Sequence, residues 1–232
     1  MKLKDSTPLL EEEVGLLFNM TEALRIYGPN TYSKVKEQIE TDNLITPTFS
    51  ELISLVHTVF NSDDKYREEI NRLVVKSRLW GFTGILYIPN KGAYIQDNPE
   101  IKNDRPFMEE SDLERRLEAN DPSVRHVPFG YKIWQMKSSE LAKNPFVIAL
   151  ANGEENAEKL AEFADKHKFD PHLWSYNPVR FSKIRVAALY SYSGHFLGQK
   201  LHVDCGYYGY NGDEYGYAVV IERTGEANQV KK

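Results

Sequence analysis

Cysteine is almost missing from this chain: Cys205 is the only one in 232 residues. A lone thiol closes no internal disulfide and excludes a cysteine-built zinc cage, which fits a reducing compartment. Long apolar runs are missing as well. The longest, such as Phe146-Val147-Ile148-Ala149-Leu150-Ala151, are far too short to cross a bilayer. The N-terminus, Met1 to Pro8, carries lysines without the apolar core of a signal peptide. These absences predict a cytoplasmic protein.

There is no surplus of positive charge either. With 29 Lys and Arg against 34 Asp and Glu, the net charge of -5 gives no general pull toward nucleic acid or anionic lipid. The spaced motifs of phosphate, zinc, calcium and nucleophile-elbow sites do not occur, and His167 and His172 flank a segment too irregular for a metal spacing. No cofactor, no metal and no membrane partner is predicted. No motif is specific enough to name a family.

What is present is ordinary globular composition, 41% hydrophobic and 27% charged, in a chain long enough to bury a sizeable core. The first third reads as helices: one from Thr7-Pro8 through Leu24, stopped by Gly28-Pro29, and a second over Tyr32 to Glu40. A third is opened by the capping box Thr48-Phe49-Ser50-Glu51, and a fourth begins at Ser62-Asp63-Asp64. From Trp80-Gly81 the pattern changes. Gly84 to Ile88 and Ala93 to Gln96 form a hairpin across Pro89-Asn90-Lys91-Gly92, and Asp97 to Glu110 reads as a long loop. A capping box at Ser111 to Glu114 starts a short helix, Val124 to Val127 and Tyr131 to Met136 read as strands, and Asn156 to His167 as a helix. The apolar run ending at Ala151 reads as a strand leading into that helix. Its Asn152-Gly153 turn carries too few glycines for a phosphate loop. Ile184 to Tyr192, Leu201 to Tyr208 and Tyr215 to Glu222 complete the strands. Helices first and strands last predict an α+β fold: a helical N-terminal part, residues 1–80, packed on a mixed, largely antiparallel body, residues 81–232, in two units or one continuous domain.

Seven of the 14 tyrosines lie between Tyr190 and Tyr217. Within that stretch Asn211-Gly212 suits a type I′ turn, which would pair Leu201 to Tyr208 with Tyr215 to Glu222 as a C-terminal β-hairpin ribbon. One ribbon face would then carry His202, Asp204, Tyr208, Tyr215 and Tyr217, with His195 in a neighbouring loop. The other would bury Cys205 among Val203, Ala218 and Val220. Two functions follow. The first is a binding or interaction protein, taking a protein or a small molecule, whose contact surface is Tyr208, Tyr215, Tyr217 and His195. The second is a metal-free hydrolase or transferase with His202 as base, Asp204 as its orienter and Tyr208 or Tyr215 as donor. Single-stranded RNA binding ranks below both, because Asp213 and Glu214 stand where an RNA-recognition strand needs a basic residue and glycine.

Overall fold

The computed structural model describes residues 24–61, 66–194, 198–207 and 215–221. In chain order these form β1 (Leu24–Asn30), α1 (Tyr32–Thr41), α2 (Phe49–Asn61), α3 (Arg67–Lys76), β2 (Leu79–Ile88), β3 (Gly92–Asp97), and the small hairpin β4 (Glu100–Lys102) and β5 (Arg105–Phe107). There follow α4 (Glu110–Glu118), β6 (Val124–Val127), β7 (Trp134–Gln135), α5 (Ser138–Leu141), α6 (Pro145–Leu150), α7 (Glu154–Lys166) and β8 (Asp170–Trp174). The last elements are β9 (Lys183–Gly194), β10 (Gly198–Tyr207) and β11 (Gly216–Ile221). The fold is α+β. Its mixed, mostly antiparallel sheet runs β1-β11-β2-β9-β10-β8-β7, with β3 paired to β2 and β6 to β3.

Local chemistry places the helices on that sheet. The Thr48 box forms as its spacing predicts: the Thr48 N–H donates to Glu51 Oε2 at 2.8 Å and the Glu51 N–H to Thr48 Oγ1 at 3.2 Å. Such a cap contributes about 1 kcal/mol. It launches α2, whose Leu52, Ile53, Val56 and Val59 are buried against β2 and α7. Helices α2, α3, α5, α6 and α7 together cover one sheet face. Leu79, Ile85, Leu173, Leu189, Leu201, Val203 and Cys205 lie in that core.

The other face is covered in patches. Tyr32, Val35 and Ile39 of α1 pack on Trp80, Phe82, Val186, Ala188, Ala218 and Val220, while α4 closes Leu86, Tyr94 and Val124 through Leu113. Beyond Ala188, at Tyr190 of β9 and along β10 and β8, the same face carries no helix among the described residues. The candidate site lies there.

Several expectations are corrected. Leu24 belongs to strand β1, antiparallel to β11, rather than to the end of a helix. A partner from the far end of the chain decides that segment. Residues 145–150 form a helix, not a strand, because Asn144 Oδ1 accepts from the N–H groups of Phe146 and Val147 and Pro145 sits in the first turn. Helix α4 starts from Glu109 without a side-chain cap, so the box at Ser111 does not form. The region Tyr131 to Met136 contributes only the two residues of β7.

The C-terminal ribbon is also not assembled as expected. β10 pairs with β9 and β8, and β11 with β1 and β2, so both edges of each strand are taken and β2 and β9 lie between them. The Asn211-Gly212 turn lies outside the described residues. No helix among the described residues is long and apolar enough to cross a membrane.

Candidate binding site

Strand alternation fixes the site. On β10, Leu201, Val203 and Cys205 point into the helix-covered core, so His202 and Asp204 point to the opposite face. The register then gathers partners. His202 lies opposite Tyr190 on β9 and His172 on β8, and Asp204 lies opposite Ala188 and Trp174. The rings form a row across three strands: Tyr190 stacks on His202 at 4.7 Å and 10°, and His172 meets His202 at 4.7 Å.

At the sheet edge the row becomes exposed. Trp174 is 41% and Trp134 50% exposed, and their rings meet edge to face at 4.9 Å. His172 closes the group, 5.7 Å from Trp134 and 6.1 Å from Trp174. Two backbone features hold this corner. A Cβ on Gly206 would fall 2.6 Å from Trp174 Cδ1 and 2.7 Å from Nε1, so the missing side chain is what lets the indole lie on β10. Trp134 is held at φ 71°, a left-handed conformation that costs a bulky residue about 1–3 kcal/mol.

Electrostatics separate the row from a catalytic dyad. His202 is 7% exposed, and among the described residues neither ring nitrogen has a hydrogen-bond partner. Burial, with His172 and Lys200 adding to it, pushes its pKa down to about 4. Burial and Lys200 likewise lower that of His172. Both imidazoles are therefore neutral near pH 7. Asp204 does not orient His202: its Oδ1 accepts from the Gly206 N–H at 2.8 Å and its Oδ2 from the Tyr190 hydroxyl at 3.3 Å. A base with so low a pKa and no orienting partner is poorly matched to proton abstraction at neutral pH.

Of the residues expected at the site, the structure brings together His202 and Asp204. Tyr215 is exposed just ahead of β11, and Tyr217 is half-buried against the helix-covered core, on the opposite face from His202. β2 lies between β11 and the Tyr190 end of the row, and three strands lie between β11 and the Trp174 corner on β8. Tyr208 and His195 lie outside the described residues. Cys205 is fully buried as expected, but beside Val203 and Leu201, with Ala218 and Val220 on the other face. Burial and the neighbouring Asp204 carboxylate raise its thiol pKa well above the ordinary range. Native Cys205 should therefore resist thiol reagents, and Cys205→Ala should fold with a modest packing loss. Rapid stoichiometric labelling without unfolding would reverse that assignment.

Trp134, Trp174 and His172 were not anticipated. The alternation His172, Leu173, Trp174 was the available signal, hidden behind Asp170-Pro171, which reads as a breaker. Among the described residues, no group of three or more His, Cys, Asp or Glu side chains could hold a metal ion.

No protein-family model matches the chain, and no curated protein matches it in sequence. In structure it is similar to a nanoarchaeal protein described as accommodating massive sequence variation by the C-type lectin fold. The two share 14% identity with a TM-score of 0.59, over 88% of this chain and 100% of that one. The likeness is one of fold and carries no residue of the site across.

Proposed function

We propose that this chain, an α+β protein with a C-type lectin-like fold, is a binding protein whose contact surface is the aromatic corner of Trp134 and Trp174. The observation that carries the reading is the pair itself: two half-exposed indoles in edge-to-face contact at a sheet edge, one seated on Gly206 and the other held at positive φ. Indoles left open to water in this way supply large, rigid contact area at low entropic cost. The described fold neighbour accommodates massive sequence variation on a related scaffold, which fits a fold that carries varied surfaces. The enzyme alternative draws less support, because His202 is buried, neutral and not oriented by Asp204.

The test is a thermal-shift screen of the wild type against soluble saccharides, nucleosides, amines and short peptides, followed by calorimetry on the hits. Trp134→Ala and Trp174→Ala should each weaken a true ligand by at least about tenfold, roughly 1.4 kcal/mol, with little change in melting temperature. A ligand bound equally well by both variants would place the contact surface elsewhere.

A further inference from the structure

We infer that the cavity between β5 and the start of β9 is a second binding site, one that takes a small organic oxyanion: a carboxylate or phosphate head on an apolar body. It shares no residue with the aromatic corner and goes beyond the reading given above. The cavity holds about 600 Å³, within the range that small ligands occupy. Its position follows from the sheet. β10 pairs with β9 only as far as Val186, so Lys183, Ile184 and Arg185 continue past the last described β10 partner, and β5 is their neighbour across the cavity.

Charge selects the head of the ligand. Arg105, Lys183 and Arg185 line the cavity, and among the described residues no acidic one does. That is a local reversal in a chain of net charge -5. The sequence prepares it: between Asp170 and Asp204 there is no Asp or Glu, while Arg180, Lys183, Arg185 and Lys200 all fall there. The acids of the β4–β5 hairpin, Glu100 and Asp104, are not part of the lining, and Glu100 is paired with Lys102 at 3.1 Å. Arg185 is only 2% exposed and is fixed in place. Its Nη1 donates to the Ile184 carbonyl at 2.7 Å, and its Nε and Nη2 reach the Tyr176 hydroxyl at 3.4 Å. Lys183 Nζ stands over the same Tyr176 ring at 4.7 Å. Arg105 is exposed, and its planar fork of donors matches the paired oxygens of a carboxylate or phosphate. The apolar lining selects the body. Leu86 and Met108 are buried in one small core cluster with Ile184 packed on it, and Phe181 beside them is 76% exposed. A hydrocarbon body laid on these side chains would take that open phenyl ring out of water.

The test is a calorimetric titration of the full chain with 4-phenylbutyrate and with 2-phenylethyl phosphate. Beside them run the uncharged 4-phenylbutanamide and the heads alone, acetate and inorganic phosphate. At least one of the two phenyl anions should bind saturably, and the tighter of them identifies the head. The amide and the matching head alone should each bind at least about tenfold more weakly. Arg105→Gln should weaken the anion about tenfold and Phe181→Ala about fivefold. Both side chains are exposed, so the melting temperature of each variant should stay at the wild-type value. Trp174→Ala should leave the affinity unchanged, because the aromatic corner is a separate surface. The site is overturned if neither anion binds saturably, or if the amide binds as tightly as the acid. It is equally overturned by an affinity that survives Arg105→Gln or Phe181→Ala, or that is lost in Trp174→Ala.

Discussion

Gly81→Ala is expected to cost about 3 kcal/mol or more, the upper end for an overpacked contact, read as a large drop in the denaturant midpoint of unfolding or as loss of soluble protein. The reason is a backbone contact at the centre of the fold. A Cβ at Gly81 would lie 2.5 Å from the Cα of Phe49 and 2.9 Å from its Cβ and N. The first turn of α2 is pinned at that point by two further bonds: the Phe82 N–H donates to the Pro47 carbonyl at 2.7 Å, and the Phe49 N–H to Thr83 Oγ1 at 3.0 Å. Neither strand nor helix can yield without breaking them. Gly153→Ala is the matched control. Gly153 has φ +134° and ψ 163°, a region essentially reserved for glycine, but nothing within 4 Å of its would-be Cβ, so its alanine variant incurs backbone strain alone, about 1–3 kcal/mol. If the two variants lose the same amount, crowding against α2 is not what fixes Gly81.

Acidification below about pH 6.5 should weaken the fold through its buried histidines. His202 has a pKa of about 4 in the folded chain and 6.5 as its ordinary value. Between those values the unfolded chain binds the extra proton. The contribution of a neutral His202 is therefore complete above about pH 6.5, falls as the pH drops toward about 4, and levels off below. The share belonging to His202 is at most about 3 kcal/mol. His167 and His172, both lowered mainly by burial, contribute in the same direction. His202→Phe keeps a ring for Tyr190 and His172 to pack on and removes the proton site. The gap between wild-type and variant midpoints should change across that pH window in favour of the variant at the acid end. A gap that stays constant would show that His202 is not buried and neutral.

Sequence and structure agree where the signal is local. The Thr48 and Glu51 pair could be read because both ends of a capping box sit within one turn. The turn before β3 could be read because Asn90 and Gly92 are residue types that tolerate the positive φ they adopt, 63° and 135°. Alternation along Leu201, Val203 and Cys205 assigned the buried face correctly. Its partners were another matter. A strand's faces are written in its own residues, but its neighbours are chosen across the chain, and the Asn211-Gly212 signal suggested a pairing that β9 and β8 pre-empt. The same limit explains the site. His202 and Asp204 were legible as a pair on one face, while Tyr190, His172 and Trp174 join them only through the β9–β10 and β10–β8 registers. Trp134 arrives by an edge strand of two residues, too short to leave a period in the sequence.

The pairing of β1 with β11, Leu24 opposite Ile221, sets the order in which the molecule can be made. Loop-closure entropy grows with the length of chain enclosed, and this pairing encloses nearly all of it. A ribosome that has released β1 and α1 must still synthesise every intervening element before β1 has its partner. Until then β1 and one side of β2 present open edges, the surfaces on which nascent sheets misassociate. The hairpin β2–β3 can form from local contacts, whereas α2 must wait for α7, with Ser54 and Asn156 102 residues apart, and the β1–β11 seam has the highest contact order of these. Synthesis of this fold is therefore most exposed to aggregation just before β11 emerges.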